Sequence, residues 1–413
     1  MPIQLPSSVF ESGKITGRYT GDVLKQRIAA VRKIQQEKKI PDSILNARGS
    51  DFKNNCFKIC PKWLEELQGV SAGSGTDIND LLMINSLPFG FYQAGGNNCT
   101  TFVSIGKAEN RLFKIRDECN HIQTFIIKNN NESLCQAGYD IGNMGFAHFF
   151  NSRGLAGANN TGSCTEKISD QAVLNDCHIL RFIAENAGTT DEIPALLEKL
   201  LEMKLVGGAG KNRGSIFIFA DQKKGLILEC QSFDYTARFV EQGTVVVANH
   251  FLSEKARAWE SSPPDVNTLT RKQRMEELLS AHGHNPSLSA IFKIARDRKN
   301  IPQALCNDDR QHFWMTISAQ LHCIDKTDFR KSKNYFCVGN TLHSLFLPVP
   351  VDHNQNYLPF INGEFYSAAN RIYEKYYCSD HMSAIQENFE KNIFTRQDYE
   401  TIYADALATI KQT

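Results

Sequence analysis

The residues best suited to covalent chemistry are Cys99-Thr100-Thr101, which follow Gly95-Gly96-Asn97-Asn98 and open the apolar run of Phe102 and Val103. A glycine-loosened segment running into a cysteine at the head of a strand is the pattern of a chain that cuts itself. Breaking the Asn98–Cys99 bond would leave one residue bearing both a thiol and a free α-amine. The amine titrates near ~8 and the thiol near ~8.5, so proton exchange between them is nearly balanced at neutral pH. The amine then serves as general base for its own sulfur, and no histidine is required. Left uncut, Cys99 is a small apolar residue entering a buried strand.

Elements on both sides must hold such a cysteine. Apolar positions at helical intervals from residue 20 to 39, with basic residues between them, predict an amphipathic surface helix. Pro61 to Gln68 reads as a helix with proline in its first turn and Gly69 at its end. Thr76 or Asp77 can cap a third, Ile78 to Asn85. From Cys99 the texture turns to strands: Thr100 to Ile105, a polar turn, then Arg111 to Ile115 returning, a hairpin with Cys99 at its outer end. Further strands are expected at 124–127, 155–158, 215–220, 226–230 and 244–248, with Gln222 to Gly225 turning a second hairpin. Helices are expected at 171–187, 190–204, 271–281, 288–296, 366–377 and 396–409. Alternating runs of strands and helices predict an α+β fold of antiparallel sheet packed between helices.

Composition narrows the function classes. Lys and Arg number 46 against 45 Asp and Glu, so nothing points to nucleic acid, and basic runs such as Lys331 to Lys333 read as solvated surface. No stretch approaches the ~18 apolar residues of a membrane span, and the N-terminus lacks a charged leader, so a cytoplasmic, membrane-free protein is expected. The 12 cysteines are scattered, which suggests reduced thiols. Cys56 with Cys60, Cys177-His178 and His322-Cys323 lack the paired ligand spacing of structural zinc, so no metal or cofactor is expected. Asn131-Glu132-Ser133 and Asn98-Cys99-Thr100 fit the glycosylation pattern but carry little weight without a secretion signal.

Two other motifs fail on context. Gly69-Val70-Ser71-Ala72-Gly73 spells a nucleophile elbow, but a helix precedes it where that elbow needs a strand. Gly208-Ala209-Gly210-Lys211 lacks the first glycine and the closing Ser/Thr of a phosphate loop.

Several segments occur in an order that resembles the acyl-coenzyme A:6-aminopenicillanate acyltransferase (isopenicillin N acyltransferase-like) family of N-terminal-nucleophile hydrolases. They are Trp63 to Gly75 with Asp80 to Asn85, Cys99-Thr100-Thr101, Asp117, Asn151 to Ala156, Ile216 to Glu229, Ala248-Asn249-His250-Phe251, Arg271 to Leu279, Thr316-Ile317-Ser318 and Cys337-Val338-Gly339. The resemblance spans about residues 15 to 350. It implies a four-layer αββα sandwich and cleavage at Asn98/Cys99, giving an α fragment of 1–98 and a β fragment of 99–413 that stay associated. A helical extension would follow from about 353. The same thiol would then attack the amide of an N-acyl small molecule through a thioester. In the family, an aspartate matching Asp117 orients the nucleophile's amine, and an asparagine matching Asn249 donates to the oxyanion. Asn160 and Arg271 match positions near the pocket, and Lys114 and Arg116 stand where related enzymes place substrate-contacting arginine and aromatic residues. Those two substitutions, and Asn98 where glycine would ease cleavage, are departures from the pattern. The alternatives are an acyl-CoA-dependent N-acyltransferase and an uncut binding protein of the same fold.

Overall fold

A computed structural model describes residues 8–86, 98–118, 123–129, 134–140, 144–165, 169, 171–209, 212–283, 286–309, 314–349, 351, 364, 367–368, 371, 385–387 and 399–412. Gly95 to Asn97 and the expected helix at 366–377 lie outside these residues, apart from isolated helical positions in the latter. Four helices come first: α1 (Val9–Glu37), α2 (Asp42–Ile59), α3 (Pro61–Ser74) and α4 (Ile78–Asn85). Helix α1 begins well before the expected start because Ser8 caps it through the Glu11 N–H. Helix α2 had no sequence forecast. Its buried apolar residues are few, with Leu45, Phe52 and Cys56 set among polar positions.

Fourteen strands are described, in two antiparallel sheets. The first holds β1 (Asn98–Ile105), β2 (Glu109–Glu118), β10 (Gly243–Val247), β11 (Asp308–Asp309), β12 (Trp314–Asp325), β13 (Lys333–Val338) and β14 (Leu347–Val349), with main order β10-β1-β2-β12-β13-β14. The second runs in chain order through β3 (Gln123–Asn129), β4 (Leu134–Asp140), β5 (Phe146–Asn151), β6 (Ala156–Cys164), β7 (Arg213–Ala220), β8 (Gly225–Cys230) and β9 (Tyr235–Val240). Both expected hairpins form, β1 with β2 and β7 with β8. The later helices are α5 (Asp176–Asn186), α6 (Ile193–Glu202), α7 (Glu254–Arg257), α8 (Val266–Ala281), α9 (Leu288–Ile294) and α10 (Tyr399–Gln412).

Strand alternation sorts the core into layers. Val103, Ile105 and Leu112 of the first sheet meet Ile216, Ile218 and Ile227 of the second. Phe102, Phe113 and Ile115 face outward against Met275 and Leu279 of α8 and Ile291 and Phe292 of α9. On the other side, Phe217 and Phe219 pack toward α5, α6 and the N-terminal helices. The result is a helix, sheet, sheet, helix stack. Among the described residues, no helix is long and apolar enough to cross a membrane.

The N-terminal helices are fastened to the rest by polar contacts as well. Arg181 of α5 pairs with Glu66 of α3 at 2.6 Å, and its guanidinium lies 4.7 Å from the ring centre of Trp63. Trp63 Nε1 donates to Glu185 at 2.7 Å. Helices α1 and α3 touch backbone to backbone across glycines. A Cβ at Gly69 would stand 2.0 Å from the Phe10 carbonyl oxygen. Gly69→Ala should therefore prise α1 from α3 and cost about 1–3 kcal/mol. Chemical denaturation of the variant beside the wild type measures it, and an unchanged midpoint would refute the close contact.

Candidate functional site

Strand β1 begins at Asn98 and Cys99, beside β2, with Cys99 opposite Arg116 and Asn98 opposite Asp117. Because Val103 and Ile105 face the space between the sheets, Cys99 and Thr101 point there too. Cys99 is buried. Burial pushes its thiol upward, opposed by Lys114 and Arg116 and reinforced by Asp117 and Glu118.

Asn249 stands just past β10. Its Oδ1 accepts from the Cys99 N–H at 2.9 Å and from Arg271 at 2.7 Å, while its Nδ2 donates to the Thr161 carbonyl at 2.9 Å. Two donors converge on one end of the amide, which fixes its orientation. The structure thus turns the acceptor of Asn249 toward Cys99, whereas the sequence reading gave that residue a donor's role at the oxyanion. The backbone of Asn249 is held in turn by Thr268 of α8.

Arg271 is wholly buried, although an exposed arginine is the ordinary case on a helix. It donates to the Cys99 carbonyl at 2.6 Å, to Thr100 Oγ1 at 2.8 Å and to Asn98 Oδ1 at 3.4 Å. Asn267, one turn earlier on α8, takes its Nε proton at 2.6 Å. One guanidinium therefore grips both residues of the Asn98–Cys99 bond together with Asn249.

Asp117 lies on the opposite face of the first sheet from the Cys99 thiol. Its two oxygens accept from Thr316 at 2.7 Å and from Asn307 at 3.0 Å. Sequence reasoning gave neither residue a role. Thr316 had appeared only as part of a resembling segment, and Asn307 carries no local signal.

The remaining candidates are set in the framework. Lys114 Nζ donates to the Ala147 carbonyl at 3.0 Å and to both the carbonyl and the side-chain oxygen of Asn159. Its three protons join the sheets, where the resemblance implied a substrate contact. Arg116 is buried and paired with Glu118. Asn160 accepts from Thr101 at 2.7 Å and donates to the Val247 and Ala248 carbonyls, so it too stitches β6 to the first sheet. Among the described residues, no three His, Cys, Asp or Glu side chains gather to hold a metal.

Two facing antiparallel sheets, with helices on both outer sides, make the four-layer αββα sandwich expected from the resemblance, and Cys99 heads an inner strand of it. The profile of the acyl-coenzyme A:6-aminopenicillanic acid acyl-transferase family matches residues 119–343, and the chain belongs to that family. The family is named for an acyl-transferase, and the chain is an enzyme. Asn160, Asn249 and Arg271 fall within the match, while Cys99, Lys114, Arg116 and Asp117 precede it.

Among solved structures, a mutant conjugated bile acid hydrolase from Clostridium perfringens is similar at 11% identity and a TM-score of 0.33, covering 62% of this chain and 95% of that one. The Caenorhabditis elegans ortholog of N-acylethanolamine-hydrolyzing acid amidase is similar at 13% and 0.37, covering 57% and 98%. At scores this low, the fold assignment rests on the layers described above. No curated protein sequence matches the chain.

Burial pushes the Asp117 carboxyl from 3.8 up to about 6, against Arg271 and its two hydrogen bonds. A raised folded value means the native state holds this proton more tightly than the unfolded chain. The stability it contributes is full below the unfolded value and is lost as pH rises through about 6. The wild-type-minus-Asp117→Asn difference in unfolding free energy should thus fall by about 2–3 kcal/mol between pH 4 and pH 7. Denaturant titrations at both pH values check this, and a difference independent of pH would refute it.

Proposed function

We propose that the chain cuts itself between Asn98 and Cys99 and then works as a cysteine amidohydrolase on N-acyl small molecules. The observation that carries this reading is the grip of Arg271 on Asn98, Cys99 and Asn249 at the head of β1. The Cys99 thiol attacks the Asn98 carbonyl carbon, the C–N bond breaks as the acyl group passes to sulfur, and water hydrolyses the thioester. The products are a carboxylate on Asn98 and an α-amine on Cys99.

Cleavage changes the proton balance. In the uncut chain the Cys99 nitrogen is an amide that donates to Asn249 and so offers the buried thiol no base. The freed amine stays beside the Asn249 acceptor, within the field of Arg271 and Asp117, and takes the thiol proton. A substrate amide is then attacked in the same manner, its amine leaves with that proton, and water releases the acid. The Arg181 to Glu66 pair and the Trp63 contacts would keep residues 1–98 docked after the cut.

Intact-mass analysis of the purified protein should show two pieces, 1–98 and 99–413, and Cys99→Ala should remain whole. Arg271→Ala should slow the appearance of the pieces by about 100-fold, the scale for losing a preorganised donor at a reacting carbonyl. A single uncut wild-type chain would sink self-processing. A cut protein that releases no acid from a panel of acyl amides would sink the hydrolase reading.

A further inference from the structure

The carboxylate of Asp117 is held by a pair of residues that also hold each other. Thr316 Oγ1 donates to Asp117 Oδ1 at 2.7 Å, and Asn307 Nδ2 donates to Oδ2 at 3.0 Å. Across the pair, the Asn307 N–H donates to Thr316 Oγ1 at 2.9 Å, and the Thr316 N–H to the Asn307 carbonyl at 2.7 Å. With its oxygen accepting from Asn307, the Thr316 hydroxyl sends its proton to Asp117, with the Cys306 thiol as a second neighbour. Thr316 faces Asp117 across β2 and β12, beside the register shift between Thr316 and Ser318. Such a bulge re-aims side chains on a strand.

Asn307 is costly where it stands. Its Nδ2 protons go to Asp117 and to the Ala304 carbonyl, while its buried Oδ1 has no partner among the described residues. An unmatched buried acceptor destabilises a fold, and a residue kept in spite of it calls for a reason beyond packing. Here that reason is the carboxylate.

We propose that Asn307 and Thr316 are positioning residues that hold Asp117 ionised beside the head of β1 and so set the acid limit of the site. This rests on the role given to Asp117 in the proposed reaction. The other charged or titratable groups acting on Asp117 are Arg271 from α8, Cys99 from β1 and Cys306 from the segment before β11. Arg116 and Glu118 neighbour it on β2 but point to the opposite face. Hydrogen bonds to the charged form favour that form, so removing one raises the carboxyl's titration.

The test is carboxyl-carbon NMR on the full-length protein labelled at aspartate, the Asp117 signal being identified by its loss in Asp117→Asn. Thr316→Val and Asn307→Leu should each move the Asp117 titration upward by about one pH unit, the scale for one charge-assisted hydrogen bond. Thr316→Ser keeps the hydroxyl and should restore the wild-type titration. The pH dependence of Cys99 alkylation by iodoacetamide should move with it. A titration that stays in place in either folded variant overturns the proposal, so one well-folded variant is enough. The NMR readout works whether or not the chain is cut, so failed self-cleavage removes only the reaction assigned above.

Discussion

A single buried guanidinium organises the head of β1. Arg271 has no exposure to solvent, and a cation in that position is stable only when surrounded by acceptors. Those acceptors come from Asn98, Cys99, Thr100, Asn249 and Asn267, contributed by β1, the segment after β10 and α8 itself. Loss of any of these acceptors would leave charge unmatched inside the protein. Placement of α8 over the first sheet and the geometry around Asn98 and Cys99 are therefore one constraint.

The apolar layers make that constraint affordable. Met275 and Leu279 of α8 are packed against the outer face of the first sheet, which carries the helix bearing Arg271 to the place where β1 begins. Between the sheets, Lys114 and Asn160 add polar ties across an otherwise aliphatic interior. These ties specify register: a one-residue slip of β1 or β2 would send their side chains to the wrong face. The same alternation separates thiol from carboxylate, with Cys99 facing inward and Asp117 outward on neighbouring strands.

Much of this was legible in the sequence, and the limits have physical causes. Cys99 could be singled out from its local segment, Asp117, Asn249 and Arg271 from the resemblance, and the two hairpins because their turns are short. Helix α2 escaped notice because tertiary packing, rather than a broad apolar stripe, stabilises it. Strands β12 and β13 were not forecast as strands because pairing defines them, of β12 with distant β2 and of β13 with β12. Residue roles were harder to read than residue positions. Lys114 was expected at a substrate and instead bridges the sheets, and Asn249 offers an acceptor where a donor was expected. Which end of an amide faces a neighbour depends on partners far away in the chain, here Thr161 and Arg271.

The docking of the first four helices has a consequence for the history of the molecule. Glu66 and Trp63 reach Arg181 and Glu185 deep in the later part of the chain, and Asn85 accepts from the Met144 N–H. These contacts are assembled while both parts belong to one polypeptide, when joining them carries only the entropy of closing a loop. Were the backbone severed at Asn98 as proposed, the same encounter would become bimolecular. A processed molecule that unfolds would then be unable to retrace its path, and its lifetime would be governed by the barrier to opening rather than by an equilibrium.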